Sequence, residues 1–187
     1  MIQGRIIKIG NNDFPSEKNV FVDTNVIYWM TYASSRNFPG RLKPLPYQID
    51  GYSKLLEKLI INNNQLYFSN YSIPELVHLV AKVEATIDSS EAGHLKKKWL
   101  RQKGRDIVST EIRNLLDVLK SWAIPLTTTM PYSHDEYLTE YSKYYLDGYD
   151  LILQKELTEN SIDLVLTDDL DFSSVPHLSV ITANRSA

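Results

Sequence analysis

Apolar residues along this chain follow two alternating rhythms. Some form short runs of β-branched and aromatic positions, and others recur every three or four residues. The runs read as short buried strands, and the recurring positions as helices with one apolar face. Val20-Phe21-Val22 is the first clear run, and it passes through Asp23-Thr24-Asn25 into a helical pattern from Val26 to Met30. Pro39, Gly40, Pro44 and Pro46 mark 37–46 as an exposed loop. Ile49, Leu55, Leu56, Leu59 and Ile60 have helical spacing, closed by Asn62-Asn63-Asn64. Gln65 to Ser69 is a second strand; 70–74 turn the chain, and Glu75 to Val83 continue as a helix. A longer helix runs from Asp106 to about Trp122, and Ile124 to Thr127 is a third short strand. A tyrosine-rich helix at about 134–146 and another opened by Asp150 lead to strands at Leu164–Thr167 and Leu178–Thr182.

Short apolar strands alternating with helices predict an α/β fold, a mostly parallel five-stranded sheet covered on both faces. Ile6-Ile7-Lys8-Ile9, ended by Gly10-Asn11-Asn12, adds a strand or hairpin arm ahead of that sheet. At 187 residues the expectation is one domain, 1–187, with 1–19 as an N-terminal extension.

Composition narrows the function classes. There is no cysteine, which excludes disulfides, thiolate metal sites and a cysteine nucleophile. No apolar run approaches the roughly 20 residues that span a bilayer, and Met1 to Gly10 lacks a signal-peptide core, so a cytoplasmic protein away from membranes is expected. The formal net charge of −3 gives no global attraction for nucleic acid. Cations are nonetheless concentrated: His94, Lys96, Lys97, Lys98, Arg101, Lys103 and Arg105 surround Trp99, in a segment that Gly93 and Gly104 mark at its two ends. This basic helical insertion, about 88–106, is either a solvated helix face or a strip where lysines hold phosphates and Trp99 stacks a base.

An acid stands at most of the expected C-terminal strand ends or helix starts. Asp23 follows strand one, Glu75 lies six residues past Ser69, Asp150 opens a helix, and Asp168 and Asp169 follow Thr167. Each has a structural explanation by itself. Asp23 or Thr24 suits a helix N-cap, Ser72 with Glu75 a capping box, Asp150 a helix dipole, and Thr167-Asp168-Asp169 a polar turn. Together they are harder to dismiss. Two like charges 4 Å apart repel by roughly 4 kcal/mol at an effective dielectric near 20. Carboxylates converging on one pocket therefore need a counter-cation, and oxygen-only donors suit Mg²⁺ or Mn²⁺.

The segments Val20-Phe21-Val22-Asp23-Thr24-Asn25-Val26-Ile27, Ser69 with Glu75, Asp150-Leu151-Ile152-Leu153, and Leu164-Val165-Leu166-Thr167-Asp168-Asp169-Leu170-Asp171-Phe172 resemble, in order and spacing, the PIN-domain family of metal-dependent ribonucleases, VapC-like members among them. The match spans roughly 20–183. The resemblance implies a three-layer α/β/α sandwich and one or two Mg²⁺ or Mn²⁺ ions held by Asp23, Glu75, Asp150 and Asp169. Asn25, Ser69, Thr167 and Asp168 would support them, and Asp147, three residues before Asp150, competes for the third place. It further implies cleavage of RNA phosphodiesters, with Asp23 and Asp169 holding the ion and Glu75 or Asp150 completing its shell or helping remove a proton from the attacking water. Partners implied are RNA, an antitoxin-like protein inhibitor if the chain is a toxin, and a second copy of itself. Compact toxins of the family begin almost at their first Asp, whereas here 19 residues precede Val20; this weighs against the toxin role more than against the chemistry.

Rival chemistries fit less well. A phosphorylated-aspartate phosphatase expects a second Asp at position 25, where Asn25 stands, and no Walker or G-x-G-x-x-G loop occurs. His78, His94, His134 and His177 lack metal-ligand spacing and read as helix-face or surface residues. The remaining alternative is a catalytically inactive PIN-like module that binds RNA or protein.

Overall fold

The computed structural model describes residues 4–11, 13–36, 38, 42–88, 96–128, 132–146 and 148–186. Asp147, Gly93 and His94 lie outside the described residues, as do Pro39 and Gly40 of the expected loop and the Lys96 side chain.

Among the described residues six strands form one sheet: β1 (Arg5–Ile7), β2 (Asn19–Val22), β3 (Gln65–Phe68), β4 (Ile124–Pro125), β5 (Leu164–Leu166) and β6 (Ser179–Ile181). Their spatial order is β1-β6-β5-β2-β3-β4, and every neighbouring pair is parallel. The expectation of five strands is therefore corrected to six. The apolar patch at 6–9 supplies the sixth, a parallel edge strand on β6 and not a hairpin arm, with Ile6 opposite Val180.

Side chains alternate across a strand, and here each side meets its own apolar cluster. Val20, Val22, Leu66, Phe68, Leu164 and Leu166 point to one face. There they pack with α1 (Thr24–Thr31), α2 (Pro46–Ile61), α3 (Ser72–Asp88) and α5 (Arg105–Lys120). Phe21, Val165 and Val180 point to the other, against Leu151, Leu153 and Leu157 of α7 (Gly148–Glu159). Both faces are covered, so the architecture is the expected helix–sheet–helix sandwich, consistent with a PIN-like fold. Among the described residues no helix is long and apolar enough to cross a membrane.

Several boundaries depart from expectation for local reasons. Pro46 is the first residue of α2, not part of a loop. Its fixed φ suits that position, and the Gln48 side chain accepts the Leu45 N–H at 2.8 Å. The tyrosine-rich helix α6 (His134–Tyr141) stops well short of 146 and buries none of its residues. The basic insertion forms α4 (Lys96–Trp99) and a π-helical turn (Leu100–Gly104) that runs directly into α5. Gly104 does not bound this segment: its backbone is right-handed helical, and a Cβ there would overlap the Trp99 ring.

Candidate active site

The strand order locates the site before any side chain is considered. The chain runs outward from β2 through β3 to β4, then crosses back to β5 on the other flank of β2. The C-terminal ends of β2 and β5 are thus a topological switch point, where neighbouring connections diverge and open a crevice. Asp23 directly follows β2, and Thr167-Asp168-Asp169 directly follows β5. A pocket of about 460 Å³ opens there, lined by Asp23, Asn25, Glu75, Asp150 and Asp169 among others. Four carboxylates separated by up to 146 positions in sequence thus face one cavity.

Threonine hydroxyls organise them. Thr167 donates to Asp23 Oδ2 at 2.8 Å and accepts the Asp169 N–H at 2.9 Å, tying the two strand ends together. Asp23 caps α1, its Oδ1 accepting the Thr24 N–H at 2.7 Å. Thr24 in turn donates its hydroxyl to Glu75 Oε2 at 2.6 Å, bridging α1 to α3. The Ser72–Glu75 capping box is therefore not formed: Glu75 reaches across to Thr24, and the buried Ser72 hydroxyl has no hydrogen-bond partner among the described residues. Asp169 caps the following 3₁₀ turn (Leu170–Ser174), its Oδ1 accepting the Asp171 N–H at 2.8 Å.

Asp23 is 3% exposed. Burial pushes its carboxyl up to about 6 from an ordinary 3.8, against the hydrogen bonds from Thr167 and Thr24, and the charges of Glu75 and Asp169 push it further. A buried carboxyl perturbed in this way, in a crevice with charged neighbours, makes the crevice a candidate functional site.

The donors fit a hard divalent cation by their chemistry: all are oxygen, and their negative charges are crowded. Among the described residues, however, no three carboxylate or imidazole groups converge closely enough to hold one ion between them. Mg²⁺ dehydrates reluctantly, keeps several waters and takes only one or two carboxylates directly.

No family model matches the chain, and no curated protein does. Among solved structures, a chain of VapBC2 from Rickettsia felis, bound to a DNA fragment from their promoter, superposes with a TM-score of 0.47 at 16% identity. The superposition covers 88% of this chain and 98% of that one. A likeness this loose says nothing about chemistry, so the site stands on its own geometry.

Asp23, Glu75, Asp150, Asp169 and Asn25 meet in the pocket, while Thr167 stands behind Asp23. Two expected supporters do not line it. Ser69 is fully buried and accepts the Tyr71 N–H at 2.9 Å, shaping the turn into α3. Asp168 faces the opposite way from Asp169, with Tyr52 Oη 2.8 Å from its Oδ1 and Tyr47 donating to Oδ2 at 3.1 Å. Three further residues with polar side chains line the pocket without having been singled out for it, Thr24, His78 and Tyr149, beside the apolar Pro74 and Leu79. His78 follows Glu75 by three positions, which places it on the same helix face. Tyr149 adjoins Asp150, and Thr24 sits inside the quoted strand-one motif.

The basic insertion lies elsewhere. Trp99 is 5% exposed and its indole N–H donates to Asp88 at 2.6 Å, so it is a core residue unable to stack a base. Lys103 pairs with the same Asp88 carboxylate at 2.9 Å. Lys97, Lys98 and Arg101 are exposed. Asp88 is thirteen residues along α3 from Glu75, about 20 Å at 1.5 Å per residue. The basic segment thus sits against the far end of that helix, not at the pocket mouth.

Proposed function

We propose that this protein is a PIN-like endoribonuclease that hydrolyses RNA phosphodiester bonds with the help of Mg²⁺ or Mn²⁺. The single observation that carries the reading is the gathering of Asp23, Glu75, Asp150 and Asp169 around one crevice at the switch point of a parallel sheet. Asp23 and Asp169 border the crevice from β2 and β5, held in relation by the Thr167 hydroxyl. Glu75 and Asp150 face it from the first turns of α3 and α7. A bound divalent cation would neutralise phosphate charge and acidify a water molecule. The chain's own part is to present ionised carboxylates in fixed positions: Thr24 and Thr167 orient Glu75 and Asp23 by donating to the oxygens that would otherwise turn away. Asn25, exposed at the rim, offers an amide to a phosphate or to water.

One observation favours a second reading, an inactive PIN-like module that binds RNA or protein: among the described residues the carboxylates do not converge in threes. Incubation of the purified protein with mixed RNA separates the two. The nuclease reading expects fragmentation with Mn²⁺, none with EDTA, and none from Asp23→Asn. RNA intact under all three conditions, from folded protein, supports the binding module.

A further inference from the structure

A second cleft, of about 480 Å³, opens at the same sheet edge above the ends of β6 and β1. Its walls are the start of α2, Lys8 beyond β1, and Thr182 to Arg185 beyond β6. Here α2 approaches the β6 end so closely that a Cβ on Gly51 would come within 2.8 Å of the Ala183 Cβ. Among the described residues, Lys8, Lys54 and Arg185 line the cleft with one acid, Asp50. Lys54 and Arg185 are exposed, and the Arg185 guanidinium lies 6.0 Å over the Tyr47 ring.

We propose that this cleft holds backbone phosphates of the RNA strand on one side of the bond cleaved in the acidic pocket. The proposal rests on the nuclease reading and deepens it. A pocket of four carboxylates repels a polyanion, and the chain as a whole carries −3, so attraction must be local. Local means within about a Debye length, ~10 Å at 0.1 M salt. The acidic pocket straddles β2 and β5, and the cationic cleft straddles β6 and β1. In the order β1-β6-β5-β2 these midpoints are two strand spacings apart, about 10 Å. Lys97, Lys98 and Arg101, against the far end of α3, are about twice as far from Glu75.

The turn between the two openings connects them physically. Consecutive residues Asp168 and Asp169 diverge, Asp169 into the acidic pocket and Asp168 toward α2. The hydroxyls of Tyr47 and Tyr52 take up the Asp168 carboxylate, and Tyr47 itself lines the cationic cleft. Asp168 is thereby held on the turn by tyrosine hydroxyls and does not line the cleft, where the exposed Lys54 and Arg185 outweigh Asp50. A single strand crossing this turn would place one phosphate among the carboxylates and its neighbours among the cations.

The test uses two double variants of exposed residues, Lys54→Ala with Arg185→Ala, and Lys97→Ala with Lys98→Ala. Binding of a labelled single-stranded RNA is followed by anisotropy in EDTA across a salt series. At about 0.7 per phosphate contact, the cleft variant should lower the slope of log Kd against log salt by about 1.4 and weaken binding roughly tenfold at 0.1 M salt. The α4 variant should keep the wild-type slope. With Mn²⁺, the cleft variant should lose RNA cleavage and retain hydrolysis of bis(p-nitrophenyl) phosphate, which is too small to reach the cleft. A wild-type salt slope in the cleft variant, or loss confined to the α4 variant, overturns the proposal. Wild-type protein that cleaves neither substrate overturns the nuclease reading instead, and the salt slopes then still uphold or overturn the cleft as an RNA site.

Discussion

At the scale of single residues, two threonine hydroxyls do what the carboxylates cannot do for one another. Like charges brought together spread apart unless something holds them, and Thr24 and Thr167 supply donors at 2.6 and 2.8 Å. Replacing Thr24 by valine keeps the shape and removes the donor to Glu75. By analogy with lost partners of metal-binding side chains, cation-dependent cleavage should fall about 10–100-fold. The melting temperature should change little; a variant with wild-type cation dependence would show that Glu75 needs no positioning. Asp23 makes a sharper case through pH. Its carboxyl is raised from 3.8 to about 6, so between these values the folded chain binds more protons than the unfolded one. Stability of the cation-free protein should therefore fall as pH rises through that window and level off above it. The loss amounts to roughly 3 kcal/mol at about 1.4 kcal/mol per tenfold change in proton affinity. Asp23→Asn should flatten that fall in urea titrations carried out in EDTA; an unchanged pH profile would mean that Asp23 is not the group responsible. Saturating Mn²⁺ should favour the ionised carboxylates. Accordingly, Asp169→Asn is expected to raise the melting temperature in EDTA but not in Mn²⁺, and equal shifts in both would argue against a shared cation.

At the scale of elements, the lesson lies in what periodicity can and cannot convey. The strand-one motif was legible because a buried parallel strand needs apolar residues on both faces, and Val20, Phe21 and Val22 are all fully buried. Asp23, Glu75, Asp150 and Asp169 were legible because strand ends and helix starts can be read locally. The role of Trp99 was not. A tryptophan among lysines looks alike whether it faces water or the core, and only the contacts with Asp88 and Gly104, made through the fold of α3 and the π-helical turn, decide it. The Ser72–Glu75 box failed for a related reason: a partner 51 residues away, Thr24, competes successfully for Glu75. Gly104→Ala tests the packing directly. Its methyl group must displace the Trp99 ring, so the variant should lose about 1–3 kcal/mol in urea unfolding. Cleavage at the opposite end of α3 should be unaffected. A fully stable variant would mean that the indole can move aside.

At the scale of the whole molecule, topology brings distant acids together. Because β5 returns to the far flank of β2, the ends of two neighbouring strands open a crevice that neither segment could form alone. The sixth strand was half legible: the 6–9 patch announced a strand, but its partner β6 lies more than 170 residues away and is not encoded in local pattern. β1 covers the outer edge of β6, and such an edge is a template for pairing with other chains. Deleting residues 1–10 should therefore promote association at high protein concentration, measured by light scattering; a monodisperse truncated protein would show that β6 needs no cover. The central claim is that the four carboxylates of the crevice serve one divalent cation site. Anomalous diffraction from a crystal soaked in Mn²⁺ tests it most directly. The account predicts a manganese peak in the crevice, within coordination distance of Asp23 or Asp169 oxygens and lost in Asp23→Asn. Carboxylates left apart in a saturated crystal, with no peak among them, would contradict it.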